Sequence, residues 1–182
     1  MEKRYEEHAY VLDLLHGRPG TRPYRAGTLI QLVGKDYFTL LEAVLKEGVD
    51  LKPHDQVNVG KDSRDEITYI IGRISYEDLT STAKMELVAA VEKIVLFHER
   101  KFIHFFNTAQ AITPRMHSLE LIPGIGKKYM WQILDEREKS FFKSFEDLQQ
   151  RVNIPNPAKL LTKRILEELT GDSKYRLFTR SM

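Results

Sequence analysis

The chain has 182 residues, no cysteine, 42% hydrophobic and 30% charged side chains, and a formal net charge of +2. That length supports one substantial domain or two small ones, and the lack of cysteine excludes a disulfide framework, a thiol nucleophile and a Cys-based zinc site. The apolar runs at 87–91 and 94–97 are short and interrupted by charge, so no membrane span is expected. Residues 1–7 lack the apolar core of a signal peptide, and the expected location is cytoplasmic.

The small net charge is unevenly spread. Residues 1–100 carry 14 basic and 17 acidic side chains, whereas residues 101–182 carry 14 basic and 9 acidic. The C-terminal half is therefore the one suited to a polyanion.

Residues 1–80 predict a small β-barrel, whose length resembles an OB-like barrel by fold-level analogy. Apolar, β-compatible runs at 8–15, 28–33, 37–45, 52–60 and 67–74 are separated by turn material at 16–20, 34–36 and 61–66. Short strands at such spacing suit a small barrel better than an open sheet. Residues 38–46 are ambiguous, because their Leu, Glu, Ala and Lys also suit a helix. Gly72, inside the last run, predicts a bend or bulge. The loop at 17–25 gathers Arg18, Arg22 and Arg25 around Tyr24. Guanidinium forks grip phosphates and a tyrosine face stacks on an unpaired base; a solvated connector is the alternative.

Residues 81–112 predict one linking helix, capped by Thr80 or Ser81. Its stripe of Leu87, Val91, Ile94, Val95, His98, Phe102 and Phe105 recurs at spacings of three and four. Ser81-Thr82-Ala83-Lys84 has the spacing of a serine acyltransferase motif but no companion motif. His98-Glu99 opens like a zinc-protease motif, yet Phe102 stands where the second histidine is needed. The histidines do not fall at ligand spacing, and neither a metal nor a cofactor is expected.

Residues 113–182 predict a helical domain. Thr113 and Pro114 read as the start of a helix bearing Met116, Leu119 and Ile122, stopped by Pro123 and Gly124. Gly126 opens a second helix with Met130, Ile133 and Leu134 as its stripe. The backbone amides from Gly124 to Gly126 would point outward at a helix N-terminus, where a phosphate is favoured, with Lys127 and Lys128 adjacent. The run Leu121-Ile122-Pro123-Gly124-Ile125-Gly126 resembles the hairpin of helix-hairpin-helix modules, which implies binding to DNA or RNA backbones without sequence reading. The matched positions are Gly124, Ile125, Gly126 and Ile133, while Met130 departs from the small residue usual there.

A second unit follows. Ser144 and Asp147 form a capping-box-like start. The run Ile154-Pro155-Asn156-Pro157 then leads into a helix stopped by Gly171. This order resembles the second unit of a tandem helix-hairpin-helix domain with Asn156 and Pro157 at the glycine positions, and it reads as mainly structural. Asn156 can adopt the left-handed region at some cost, Lys159, Lys163 and Arg164 extend a basic rim, and the tail with Lys174, Arg176 and Arg180 is expected as surface or partly loose. The full order of elements resembles the uncharacterised archaeal family called domain of unknown function 655. That resemblance implies an OB-like barrel beside a helical domain and a role in binding RNA or DNA.

The expected function is non-catalytic nucleic-acid binding through the phosphate backbone, with RNA slightly favoured over DNA. Two alternatives stand beside it. One is a protein–protein adaptor using the hairpins as scaffold; the other is a DNA-repair-type enzyme with Asp147 as its acid.

Overall fold

Five strands form one antiparallel sheet in the computed structural model, which describes residues 5–16, 27–62, 64–171 and 173–180. They are β1 (His8–Leu15), β2 (Leu29–Gly34), β3 (Leu40–Leu45), β4 (Gln56–Asn58) and β5 (Ile67–Arg73), in the order β4-β1-β2-β3-β5. With five α-helices elsewhere among the described residues, the protein is α+β. The chain divides into two units, residues 1–91 with 168–182, and residues 92–167.

The first unit is built on the sheet. Side chains two apart share a face, and one face buries Ala9, Val11, Ile30, Leu32, Leu41, Ala43, Leu45, Val57 and Ile67 with Val59 as a single cluster. Register shifts between Val11 and Asp13 in β1, and at two points of the β3–β5 ladder, raise the twist and curl the sheet. One of these shifts passes over Ile71 beside Gly72, the bend expected there. The curl makes a half-barrel. β4 and β5 remain edges among the described residues, because β4 is three residues long and offers little ladder for closure. Residues 40–45 are strand despite their helical composition, since β3 pairs on both sides, with β2 and β5. Tertiary pairing overrides a weak propensity.

Two buried polar side chains shape this unit. Gln31, 2% exposed, donates to Asp78 O (3.0 Å) and accepts from Thr80 N (2.9 Å), which holds the 75–80 segment on the sheet. Thr80 Oγ1 then accepts from Ala83 N (3.0 Å) and donates to Asp13 (2.6 Å), capping α1 (Ser81–Phe97). Glu6 is the second. Its carboxylate accepts the amides of Asp36 (2.8 Å), Tyr37 (2.9 Å) and Thr39 (3.1 Å). This organises a loop whose Phe38 sits at φ 56 with its ring fully buried.

The tail is docked, which corrects its reading as surface. Phe178 and Thr179 are buried. The buried Glu168 carboxylate accepts the amides of Leu177 and Phe178, and Arg176 donates to Glu168 O (3.0 Å) and Thr179 Oγ1 (3.0 Å). Arg180 stacks on the Tyr37 ring with 3.7 Å to the centroid.

The second unit holds α2 (Glu99–Thr108), β6 (Ala111–Thr113), β7 (Met116–His117), a 3₁₀ turn (Ser118–Leu121), α3 (Lys127–Lys139), α4 (Phe145–Val152) and most of α5 (Pro157–Thr170). Two expected helices are corrected here. The single helix at 81–112 is broken at His98 (φ −99, ψ 35), and beyond the break Phe102, Ile103 and Phe106 are buried rather than Phe105. The helix expected from Thr113 is instead a β6–β7 hairpin and one 3₁₀ turn. Thr113 Oγ1 accepts the amide of Arg115 (3.3 Å), and this local bond, with Pro114 between, favours a turn over a helix.

Side-chain clamps onto backbone hold the helices. Arg137 of α3 donates to the carbonyls of Phe106 (3.2 Å) and Ala109 (2.9 Å) at the end of α2. Asn107 exchanges two bonds with the Phe142 backbone, at 3.0 and 2.8 Å. Arg151 donates to Glu136 O (2.6 Å) and Ser140 O (2.8 Å) while its guanidinium covers the Phe142 ring. Each clamp pairs a backbone group whose burial alone would be costly.

Candidate nucleic-acid interface

The surface around Gly124 is assembled from a reciprocal cap. His117 Nδ1 accepts the amide of Leu119 (3.1 Å), and the Glu120 carboxylate accepts the amide of His117 (2.8 Å). Together they close the 3₁₀ turn. Ile122 N then donates to Leu119 O (3.2 Å) and Ile125 N to Ile122 O (3.0 Å), with both isoleucine side chains buried. Between them Gly124 adopts φ +90, the left-handed region that favours glycine, and a Cβ there would stand 3.0 Å from Leu160 Cδ2. The turn therefore rests directly on α5. Arg164, also on α5 and buried, donates to Leu121 O (3.4 Å).

Gly126 ends the turn and caps α3 in an extended conformation, without a side chain to satisfy the helix. The first helical bond is Met130 N to Gly126 O (2.9 Å). Among the described residues, the amides of Lys127, Lys128 and Tyr129 have no hydrogen-bond partner, as at any uncapped helix start. A Cβ built on Gly126 would meet nothing within 4 Å, so there is open space beside the backbone at the helix start. The helix dipole adds positive potential at the same place.

The two lysines differ. Lys127 Nζ lies 3.1 Å from Glu120 Oε1, so its charge is shared with the cap. Lys128 is exposed and has no ion-pair partner among the described residues. The His117 amide, and after it Lys127, hold the Glu120 carboxyl below the ordinary glutamate value. Burial, and after it the Arg137 charge, hold the His117 imidazole low, which keeps Nδ1 free to accept the Leu119 amide.

Gly124, Gly126, Lys127 and Lys128 thus share one exposed tip, whereas Ile125 is a core side chain whose amide is already donated within the turn. Arg18, Arg22, Tyr24 and Arg25 lie outside the described residues. Of the expected basic rim, Lys159 and Lys163 are exposed on α5, but Arg164 is buried and donates to Leu121 O at the start of the turn. Asn156 accepts the amide of Lys159 (3.3 Å) and caps α5, with Pro157 at its first position. The left-handed residue is Asn153 (φ 59), at the end of α4. Asp147 accepts the Lys143 amide (3.0 Å) and pairs with Arg151 (3.3 Å); the amide, and after it Arg151, depress its carboxyl.

One functional candidate had no place in the sequence reading. Trp131, the single tryptophan, is 58% exposed on α3. It stands four residues after Lys127 and three after Lys128, hence on their face of the helix. Its neighbours Met130 and Ile133 carry the buried stripe, and an exposed tryptophan beside that stripe is what periodicity alone absorbs into the core.

The family profile described as "Protein of unknown function (DUF655)" matches residues 5–180. The chain belongs to this family. Within DUF655, the uncharacterised protein MJ0038 of Methanocaldococcus jannaschii is 41% identical over 181 residues, covering 98% of this chain and 82% of the relative. The crystal structure of Af1531 from Archaeoglobus fulgidus, assigned to the same DUF655 family, is 46% identical and superposes with a TM-score of 0.88, covering 96% of this chain and 100% of that one.

Proposed function

We propose that the protein binds nucleic acid through its phosphate backbone, using the turn at 122–126 and the start of α3 as a helix-hairpin-helix element. The observation that carries this reading is the uncapped N-terminus of α3, open at Gly126 and flanked by the exposed Lys128. A phosphate accepts the α3 amides there, and Lys128 neutralises a neighbouring one. Trp131 on the same face offers a ring on which an unpaired base stacks, which favours RNA with single-stranded parts over duplex DNA. On this reading the first arm of the helix-hairpin-helix is shortened to a 3₁₀ turn, the α4–α5 pair is a second, structural hairpin, and the half-barrel is a relative of the OB barrel. The protein acts in the cytoplasm and without catalysis. The engagement of Asp147 with the Lys143 amide and Arg151 supports a structural rather than an acid role for it.

The test is a fluorescence-anisotropy titration with labelled structured RNA, single strands and duplex DNA at several salt concentrations. Salt-sensitive binding that Lys128→Glu weakens is expected; no binding to any of them at low salt overturns the reading. Failure would shift weight to the adaptor, for which Met85 and Val88, exposed and three residues apart on α1, provide an apolar face.

A further inference from the structure

A cleft of about 530 Å³ opens within the first unit, bounded by three segments that the fold brings together. They are the loop at 37–40, the chain leaving β5 at 73–77, and the end of α5 with the tail, residues 168–171 and 176–180. The volume falls in the range of about 300–1,000 Å³ typical of small-molecule sites.

Its chemistry is that of arginine and aromatic groups. Arg73, Arg176 and Arg180 line it, with Tyr37 and Tyr76. Each tyrosine ring carries a cation over its face: Arg180 over Tyr37 at 3.7 Å and Lys84 over Tyr76 at 4.9 Å. Thr39, Ser75 and Thr170 also line it, with the Ser75 hydroxyl donating to Asp78 (2.8 Å) and the Thr39 side chain bonded to Glu6. The two acids there are occupied. Glu168 is buried with its carboxylate on the Leu177 and Phe178 amides, and Glu77, at the exposed edge, lies 3.6 Å from Lys84. The wall thus brings three guanidinium groups beside two tyrosine rings, planar groups on which a ring can lie.

We infer that this cleft binds a phosphorylated nucleoside, its phosphate on the arginines and its base against the Tyr37–Arg180 stack. Guanidinium forks match phosphate oxygens in pairs, and a guanidinium or tyrosine plane accepts a base by stacking. Arg176 serves as a positioning residue, since its Nη1 is committed to Glu168 O and Thr179 Oγ1 and so shapes the wall. Arg73 and Arg180, which a change to glutamine neutralises while keeping much of the side chain, are the ones to test. The ligand is either a free nucleotide or the terminal nucleotide of a strand. The site belongs to a different unit from the α3 hairpin and does not depend on hairpin binding.

The experiment is calorimetric titration of wild type, Arg73→Gln, Arg180→Gln and Lys128→Glu with adenosine monophosphate, guanosine monophosphate, unphosphorylated adenosine, inorganic phosphate and a short single-stranded RNA with and without a terminal phosphate. Thermal unfolding of each variant, with and without nucleotide, identifies any that fail to fold. Nucleotide binding weakened about tenfold or more by either arginine change, and untouched by Lys128→Glu, supports the assignment. Mononucleotide binding with no gain from a terminal phosphate on the strand identifies a free ligand, and a strand that binds tighter with its terminal phosphate than without it, in Lys128→Glu as well as in wild type, identifies a strand end. Inorganic phosphate binding as well as the nucleotide, no binding of any probe, or binding that folded arginine variants retain in full overturns it.

Discussion

The space that a side chain at Gly34 would need is filled by Glu6. A Cβ built on Gly34 would lie 2.1 Å from the Glu6 carboxyl carbon. The end of a glutamate is ordinarily easy to displace, but this one accepts three backbone amides from the loop at 36–39, and moving it strands them. Gly34→Ala is expected to lower stability by about 1–3 kcal/mol, the usual range for overpacking, with the stranded amides pushing it toward the upper end. Urea unfolding followed by circular dichroism measures this. A midpoint equal to that of wild type would show that the loop does not depend on Glu6.

The first unit was largely legible in the sequence because strand alternation is a local property. Ala9/Val11, Ile30/Leu32 and Leu41/Ala43/Leu45 each repeat at two residues and each land in the same buried cluster. What escaped was set by partners distant in sequence. Closure of a barrel depends on the length of β4 and its ladder, which no alternation reports. The tail looked like surface because its anchor, Glu168, meets Leu177 and Phe178 only after α5 has formed. In the second unit the glycine turn was legible from Pro123-Gly124, yet Thr113 and Pro114 fit a helix start and a β-turn equally well. The His117–Glu120 cap decides the matter three residues later.

That cap gives the turn a pH dependence whose sign is fixed. His117 has its imidazole lowered from the ordinary 6.5, so below that value the unfolded chain takes up a proton that the folded chain resists. Stability present above pH 6.5 is lost as pH falls through the lowered value. Glu120, lowered from 4.5, acts in the same direction at more acid pH, and part of its contribution is screened by salt because Lys127 is exposed. Thermal unfolding across pH 4 to 8 is expected to show a decline in stability beginning near 6.5. The decline is expected to be smaller in His117→Gln, where nothing titrates. An identical slope in the variant would remove His117 from the account.

The lysines of α3 are expected to be unequal in binding. Lys127 already shares its charge with Glu120, whereas Lys128 does not. Replacing Lys128 by alanine should weaken RNA affinity uniformly across sequences and reduce the slope of log affinity against log salt by about one. Lys127→Ala should do less of both. Trp131→Ala should leave the salt slope unchanged and reduce affinity for single strands by about 1–3 kcal/mol, with little change for duplex. Anisotropy titrations over a salt series separate the three, and a Trp131 variant that weakens duplex and single strand alike would argue against stacking.

The two glycines of the turn at 122–126 are expected to separate stability from RNA affinity. At Gly124 the backbone lies at φ +90 and a methyl would press on Leu160, so Gly124→Ala carries both conformational strain and a clash. A loss of about 1–3 kcal/mol in stability is expected, and any loss of RNA binding would follow from it. Gly126 is the opposite case. Its φ of −88 suits any residue and its Cβ direction is empty, but alanine is a poorer N-cap than glycine, so Gly126→Ala should lower stability by no more than about 1 kcal/mol and stay folded. If a phosphate sits on the α3 amides, the new methyl stands where it must approach. Affinity for RNA then falls in a protein that is otherwise intact. Unfolding temperature and RNA affinity measured on the same two variants decide the question. Full affinity in Gly126→Ala would move the phosphate away from the start of α3.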